Sequence, residues 1–209
     1  QAAEIARQLN GTPVMARFSR EEDTRQATHR TIGAMQFAAA LGPDGLPTAL
    51  SSVVVSDGSQ TIARQFNPYG IANRHDTTHN LDAFVSTTSH RNPTGGFGGF
   101  VIEQFVDEMA LAGGWDPLEW RIHMSRDVPD FQLVLNTLKD KAGFRTDLPK
   151  GQGMGVAVVE SHGTIVGQVA TVSVQRRGQV RVEKVVQVID AGHIINPSNA
   201  IEQAEGSVV

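Results

Sequence analysis

Apolar residues along this chain recur with two different periods, and the change from one to the other divides it. Between Phe100 and Leu111 they fall at 101, 102, 105, 106 and 109, the three-to-four spacing of a buried helix face. Gly113-Gly114 predicts where that helix ends. Asp116-Pro117-Leu118-Glu119 reads as the next helix start, with Asp as cap, Pro at the first position and Glu near the third. A third helix opens at Asp130, carries Leu133, Leu135, Leu138 and Ala142, and stops at Gly143. From Gly151 the pattern is that of strands. Gly155 to Val159, Thr164 to Val174 and Gln179 to Ile189 are apolar and β-branched, with Arg176-Arg177-Gly178 as the turn between the last two. Thr171, Ser173 and Gln175 alternate with Val172 and Val174, so one face of that strand is expected to be wet.

The first hundred residues are less regular. Ala2 to Leu9 predicts a helix stopped by Asn10-Gly11. Pro13 to Phe18 predicts a short strand. Ser19 to Arg25 is polar and reads as a solvated turn, with a Ser cap and a Glu behind it. Thr31 to Leu41 and Leu46 to Ser56 flank Gly42-Pro43-Asp44-Gly45 and predict a β-hairpin, because Pro presets φ and Gly accepts positive φ. Residues 64 to 99 predict a long irregular stretch with a short strand at Ala83 to Thr87. The expected class is α+β, with mixed sheets and a central helix pair. It divides into an N-terminal α+β portion, residues 1–148, and a β-rich glycine-loop portion, residues 149–209.

Composition narrows the function classes. The net charge of −4 gives no basic surface for nucleic acid. No run approaches the roughly 18 apolar residues of a membrane span. The chain has no cysteine, which excludes disulfides, thiolate zinc sites, cysteine-ligated iron–sulfur clusters and a cysteine nucleophile within it. Compartment stays open, since periplasm and cytoplasm both suit such a chain. It begins at Gln1 without Met and ends on Val208-Val209, which predicts a piece of a longer protein.

Four constellations are candidates for chemistry. Gly95-Gly96-Phe97-Gly98-Gly99 ahead of a helix could expose backbone amides to an anion, although the plainer reading is a linker or tight turn. His75 and His79, with His90, would make a metal-hydrolase centre if they converged; the plainer reading is loop histidines facing solvent. Glu160-Ser161-His162 lacks the glycines of a nucleophile elbow, so hydrolase chemistry there is not expected. Asp190 to Pro197 reads as a strand end with a turn, where Asp and Asn tie backbone groups.

Four stretches in order closely resemble the large molybdopterin-binding subunit of the xanthine dehydrogenase/aldehyde oxidase family, and more narrowly its isoquinoline 1-oxidoreductase β-subunit type. Pro13 to Arg25 is similar to the family strand ending in Arg-Glu-Glu-Asp. Arg91-x-Pro93, Phe100 to Ala110 and Asp116 to Arg121 resemble the arginine-bearing loop and the helix pair behind it. Gly151 to Ser173 resembles the glycine-rich strand and its turn. Ile189 to Gly206 resembles the run Asp-Cys-Gly, Asn-Pro and Gln-x-Glu-Gly. The resemblance covers essentially the whole chain.

The resemblance implies a fragment of a molybdenum hydroxylase, which inserts water-derived oxygen into a C–H bond of an aldehyde or N-heterocycle. Its cofactor would be molybdopterin, plain or as the cytosine dinucleotide, with molybdenum held by the dithiolene and not by side chains. Electrons would leave through an iron–sulfur or haem subunit. Arg91, Ser161, Gly163, Thr164 and Gln203 match cofactor-contacting positions. No catalytic residue and no protein metal ligand is expected here. Glu160 does not match the family's catalytic glutamate, which belongs to a segment beyond Val209. The isolated chain is expected to be inactive and to lack cofactor. His162 stands where the family commonly has Phe, Ala191 replaces a common Cys, and Thr94 to Gly99 is unusually rich in glycine. The alternative is a structural or subunit-interaction domain without cofactor affinity of its own.

Overall fold

The computed structural model describes residues 2–57, 68–82, 84–88 and 93–208, with side chains from residue 97 onward in the last stretch. Two three-stranded sheets and a helical layer carry the fold. The first sheet has the order β2-β3-β4. β2 (Gly33–Leu41) and β3 (Pro47–Ser56) form the expected hairpin, and β4 (Asn73–Asn80) runs parallel to β3. The second sheet is an antiparallel meander of β6 (Gln152–Ser161), β7 (Thr164–Val174) and β8 (Val180–Asp190). β1 (His29–Arg30) and β5 (Thr87–Thr88) make a two-residue parallel pair.

Three helices bind the sheets together. α3 (Pro93–Ala112) packs against both β2 and β6, α4 (Pro117–Met124) turns the chain back, and α5 (Pro129–Ala142) lies on β7 and β8. Their buried residues follow the spacing of the sequence: Ile102, Val106 and Met109 on α3, and Phe131, Val134, Leu135 and Leu138 on α5. Every second residue of β3 from Leu50 to Ser56 is buried, as a one-sided strand requires. Leu50 and Val54 of β3 and the helix residues, with Tyr69, Trp120, Val156 and Val169, form one continuous core. The Asp116 carboxylate caps α4 by accepting from the Leu118 and Glu119 amides, and Gly143 ends α5 in the left-handed conformation.

Other expectations are corrected. Pro13 to Phe18 is not a strand; Met15 and Phe18 are exposed, and among the described residues no strand pairs with the segment. The polar run after it is more than a turn. α2 (Arg20–Gln26) carries a full capping box, in which Ser19 and Glu22 satisfy each other's backbone amides. α3 begins at Pro93, well before the apolar spacing starts at 101, so Gly95 to Gly99 lie inside a helix. The stretch expected to be irregular contains β4, whose composition of Asn, Arg, His, Asp and Thr offered no apolar alternation. The short strand expected at Ala83 to Thr87 is reduced to β5, and Ala83 lies outside the described residues. α1 (Ala2–Gln8), α2 and α6 (Pro197–Gly206) bury no residue in the core.

Candidate functional site

Ser161 and Thr164 face each other across the β6–β7 hairpin, and His162 and Gly163 form its two-residue turn. Both central residues have positive φ, 54° at His162 and 81° at Gly163. This is the primed turn whose twist suits adjacent strands. Glycine meets that demand without strain, and His162 holds it less comfortably. The Glu160 carboxylate accepts the Gly163 N–H at 2.7 Å, and Ser161 Oγ lies 2.9 Å from His162 Nδ1. The turn is therefore internally braced. Glu160 is committed to the backbone and does not orient His162, so the carboxylate–His–Ser line of a hydrolase is missing.

Two other elements reach the same end of this sheet. Ile189 and Asp190 at the end of β8 pair with Val166 and Ile165, so the chain leaves the sheet beside Thr164 and continues into α6, which bears Gln203. Gly99 of α3 lies against Val159, and Glu103, one helical turn later, reaches Val158. The N-terminal end of α3 accordingly points toward the hairpin turn. Ser161, Gly163 and Thr164 are thus brought together directly. Gln203 is carried by an exposed helix that begins at Pro197, after β8 ends at Asp190. Arg91 lies outside the described residues.

A cleft of about 420 Å3 runs between α3 and the second sheet. Phe100, Gly155 and Ala157 give it apolar walls, and Gln104 and Gln168 add amides. Behind it sits a buried polar cluster that no motif announced. Arg121 is fully buried. Its Nε donates to Glu103 Oε2 at 2.9 Å, and one terminal nitrogen donates to Asp107 at 2.6 Å and to the Pro117 carbonyl at 3.0 Å. The other donates to the Glu103 carbonyl at 3.0 Å. Tyr69 donates its hydroxyl to Glu103 Oε1 at 2.6 Å. Burial first, and then the Glu103 carboxylate, raise the Tyr69 pKa well above the usual phenol range. Burial alone would lower the Arg121 pKa, but Glu103, Tyr69 and Asp107 outweigh it and raise it. The apolar periodicity of α3 and the Glu-Trp-Arg segment of α4 mark both partners as helical. Only the packing of the two helices shows that they meet.

The histidine hypothesis fails on geometry. His75 and His79 lie four residues apart on strand β4, roughly 13 Å along it. His90 lies outside the described residues. Among the described residues no group of three or more His, Cys, Asp or Glu side chains could hold a metal ion. The anion reading of Gly95 to Gly99 changes too. The Gly98 and Gly99 amides lie past the first helical turn, where the helix's own ladder engages them. No described helix is long and apolar enough to cross a membrane.

What the hairpin end offers a ligand is a small set of hydroxyls and amides with apolar neighbours. That suits a pterin-type cofactor held by hydrogen bonds and shape, and it does not suit a directly ligated metal. Residues 137–209, from the second half of α5 onward, match the family model described as molybdopterin cofactor-binding domain. One of the subunits of the nicotinate dehydrogenase of Pseudomonas putida is 25% identical over 236 residues, covering 94% of this chain and 20% of that protein. The chain thus spans about a fifth of the length of the curated relative it matches. The solved aldehyde oxidoreductase of Desulfovibrio gigas shares the fold, with a TM-score of 0.50 and 19% identity over 85% of this chain and 23% of that one. By the family match, residues 137–209 are similar to a molybdopterin cofactor-binding domain.

Proposed function

We propose that this chain supplies part of the cofactor pocket of a molybdenum hydroxylase that hydroxylates N-heterocycles or aldehydes, in the manner of isoquinoline 1-oxidoreductase. The convergence of the β6–β7 turn, the exit of β8 and the N-terminal end of α3 carries the reading, because most of this convergence falls within the matched residues. Molybdopterin, plain or as its cytosine dinucleotide, supplies the oxidative chemistry when bound. Ser161, Gly163, Thr164 and Gln203 are the proposed contacts, together with Arg91. Their hydroxyls, amides and guanidinium bind and orient the cofactor. The name of the Pseudomonas relative favours a pyridine-type heterocycle over an aldehyde. Electrons pass to an iron–sulfur or haem partner. Residues 1–148 and 149–209 contribute separate walls. We assign the general base to none of these contacts.

Pterin fluorescence after denaturation tests the reading, using the protein expressed from its full open reading frame. Bound pterin should be released by the parent and reduced several-fold in S161A. Arg91→Ala should lower the turnover of a heterocycle substrate without changing the melting temperature. Absence of pterin from the parent, or unchanged kinetics in Arg91→Ala, would remove the assignment.

A second reading, a subunit-interaction domain without cofactor affinity, has its own support. Ile5, Leu9, Met15 and Phe18 are exposed on an N-terminal segment that buries nothing in the core. Sedimentation of the 209-residue chain distinguishes the two: self-association with no pterin uptake supports this second reading.

A further inference from the structure

Two contacts lock α3 to the outer edge of β6. The first is polar. The Val158 N–H, on the end strand of its sheet, donates to Glu103 Oε2 at 2.8 Å in a buried setting. The second is steric. At Gly99, one turn earlier on α3, a Cβ would stand 2.9 Å from Val159 Cγ2. Val is stiff about χ1, so that space cannot open cheaply. Glu103 is itself immobilised, because Tyr69 and Arg121 hold both of its oxygens. From Val158 the strand runs three residues, roughly 10 Å, to Ser161 and the turn. An edge hairpin held only through its inner strand frays and twists at its tip.

We propose that Glu103 and Gly99 are positioning residues: they fix the outer edge of β6 against α3 and so set where the β6–β7 turn holds the Ser161 and Thr164 hydroxyls and the Gly163 amide. The proposal rests on reading that turn as a cofactor contact. Glu103 touches no ligand in this account. It acts through the Val158 amide, and Gly99 acts by allowing the close approach.

Amide hydrogen exchange in the 209-residue chain reads the clamp without cofactor. Glu103→Ala should speed exchange at residues 158–164 by about tenfold or more, the loss expected for a buried hydrogen bond to a charged acceptor. Glu103→Gln should leave it near the parent value, because its amide oxygen still accepts from Val158. Gly99→Ala should also speed exchange at 158–164, while the amides of α3 stay protected, since alanine favours helix. If Glu103→Ala does not fold, Gly99→Ala and Glu103→Gln still decide the matter. Pterin retained by the protein from its full reading frame should fall several-fold in Glu103→Ala and Gly99→Ala and recover in Glu103→Gln. Unchanged exchange at 158–164, or an equal rise across both sheets, overturns the positioning role. If S161A loses pterin while Gly99→Ala and Glu103→Ala keep it, the turn remains a contact and the positioning role falls. If S161A keeps pterin as well, both fall.

Discussion

Gly45 and Gly113 meet backbone to backbone. A Cβ on either would run into the carbonyl of the other, so the tip of the β2–β3 hairpin rests directly on the end of α3. Trp115 reinforces the contact, donating its indole N–H to the Asp44 carbonyl at 3.0 Å. Gly113→Ala is expected to cost ~1–3 kcal/mol through overpacking. Gly45→Ala should cost more, because Gly45 also has a φ of 75°. Urea midpoints at unchanged slope check this, and a loss below about 0.5 kcal/mol at both positions would contradict the close approach.

Tyr69 is the chain's single tyrosine, so tyrosinate absorbance reports it alone. Its pKa in the folded chain is raised by burial and by Glu103. A raised pKa means that the neutral form stabilises the fold fully below about pH 10, the unfolded value, and that this contribution is lost as pH climbs toward the folded value. Tyrosinate should therefore appear well above pH 10 and together with unfolding. Tyr69→Phe should weaken the alkaline decline in stability. A simple titration near pH 10 with the fold intact would show that the hydroxyl is accessible.

Arg121 makes four hydrogen bonds to side-chain and main-chain oxygens from full burial. Removing it strands the Glu103 carboxylate, and Arg121→Ala is expected to lose ~3–5 kcal/mol. Arg121→Lys should recover little, because an ammonium cannot reproduce the guanidinium fork. Thermal melts of the two variants check this. Near-parental stability of Arg121→Lys would mean that charge alone matters at that position.

Much of the architecture was legible in the residues themselves. The period of 101 to 109, the Asp116-Pro117 start and the Gly143 stop located the helix pair and α5, because apolar spacing and capping are local properties. The Pro43 and Gly45 turn signal likewise placed the β2–β3 hairpin. Pro13 to Phe18 misled because strand-like residues do not make a strand without a partner. β4 was hidden because its polar side chains sit on a strand held by parallel pairing to β3, and that pairing leaves no mark in its own composition. Gly95 to Gly99 resembled a loop because glycine has low helix propensity. At Gly99 the helix needs glycine so that Val159 can approach.

The resemblance carried by four stretches in order implied, without coordinates, an organic cofactor held by hydrogen bonds, and a chain without thiols is compatible with it. The tertiary structure decided what meets what. Glu103, Arg121, Tyr69 and Val158 come from four separate segments, and their pairing depends on how α3 lies along the edge of β6. No periodicity records such a contact, because it is made by packing between elements distant in the chain.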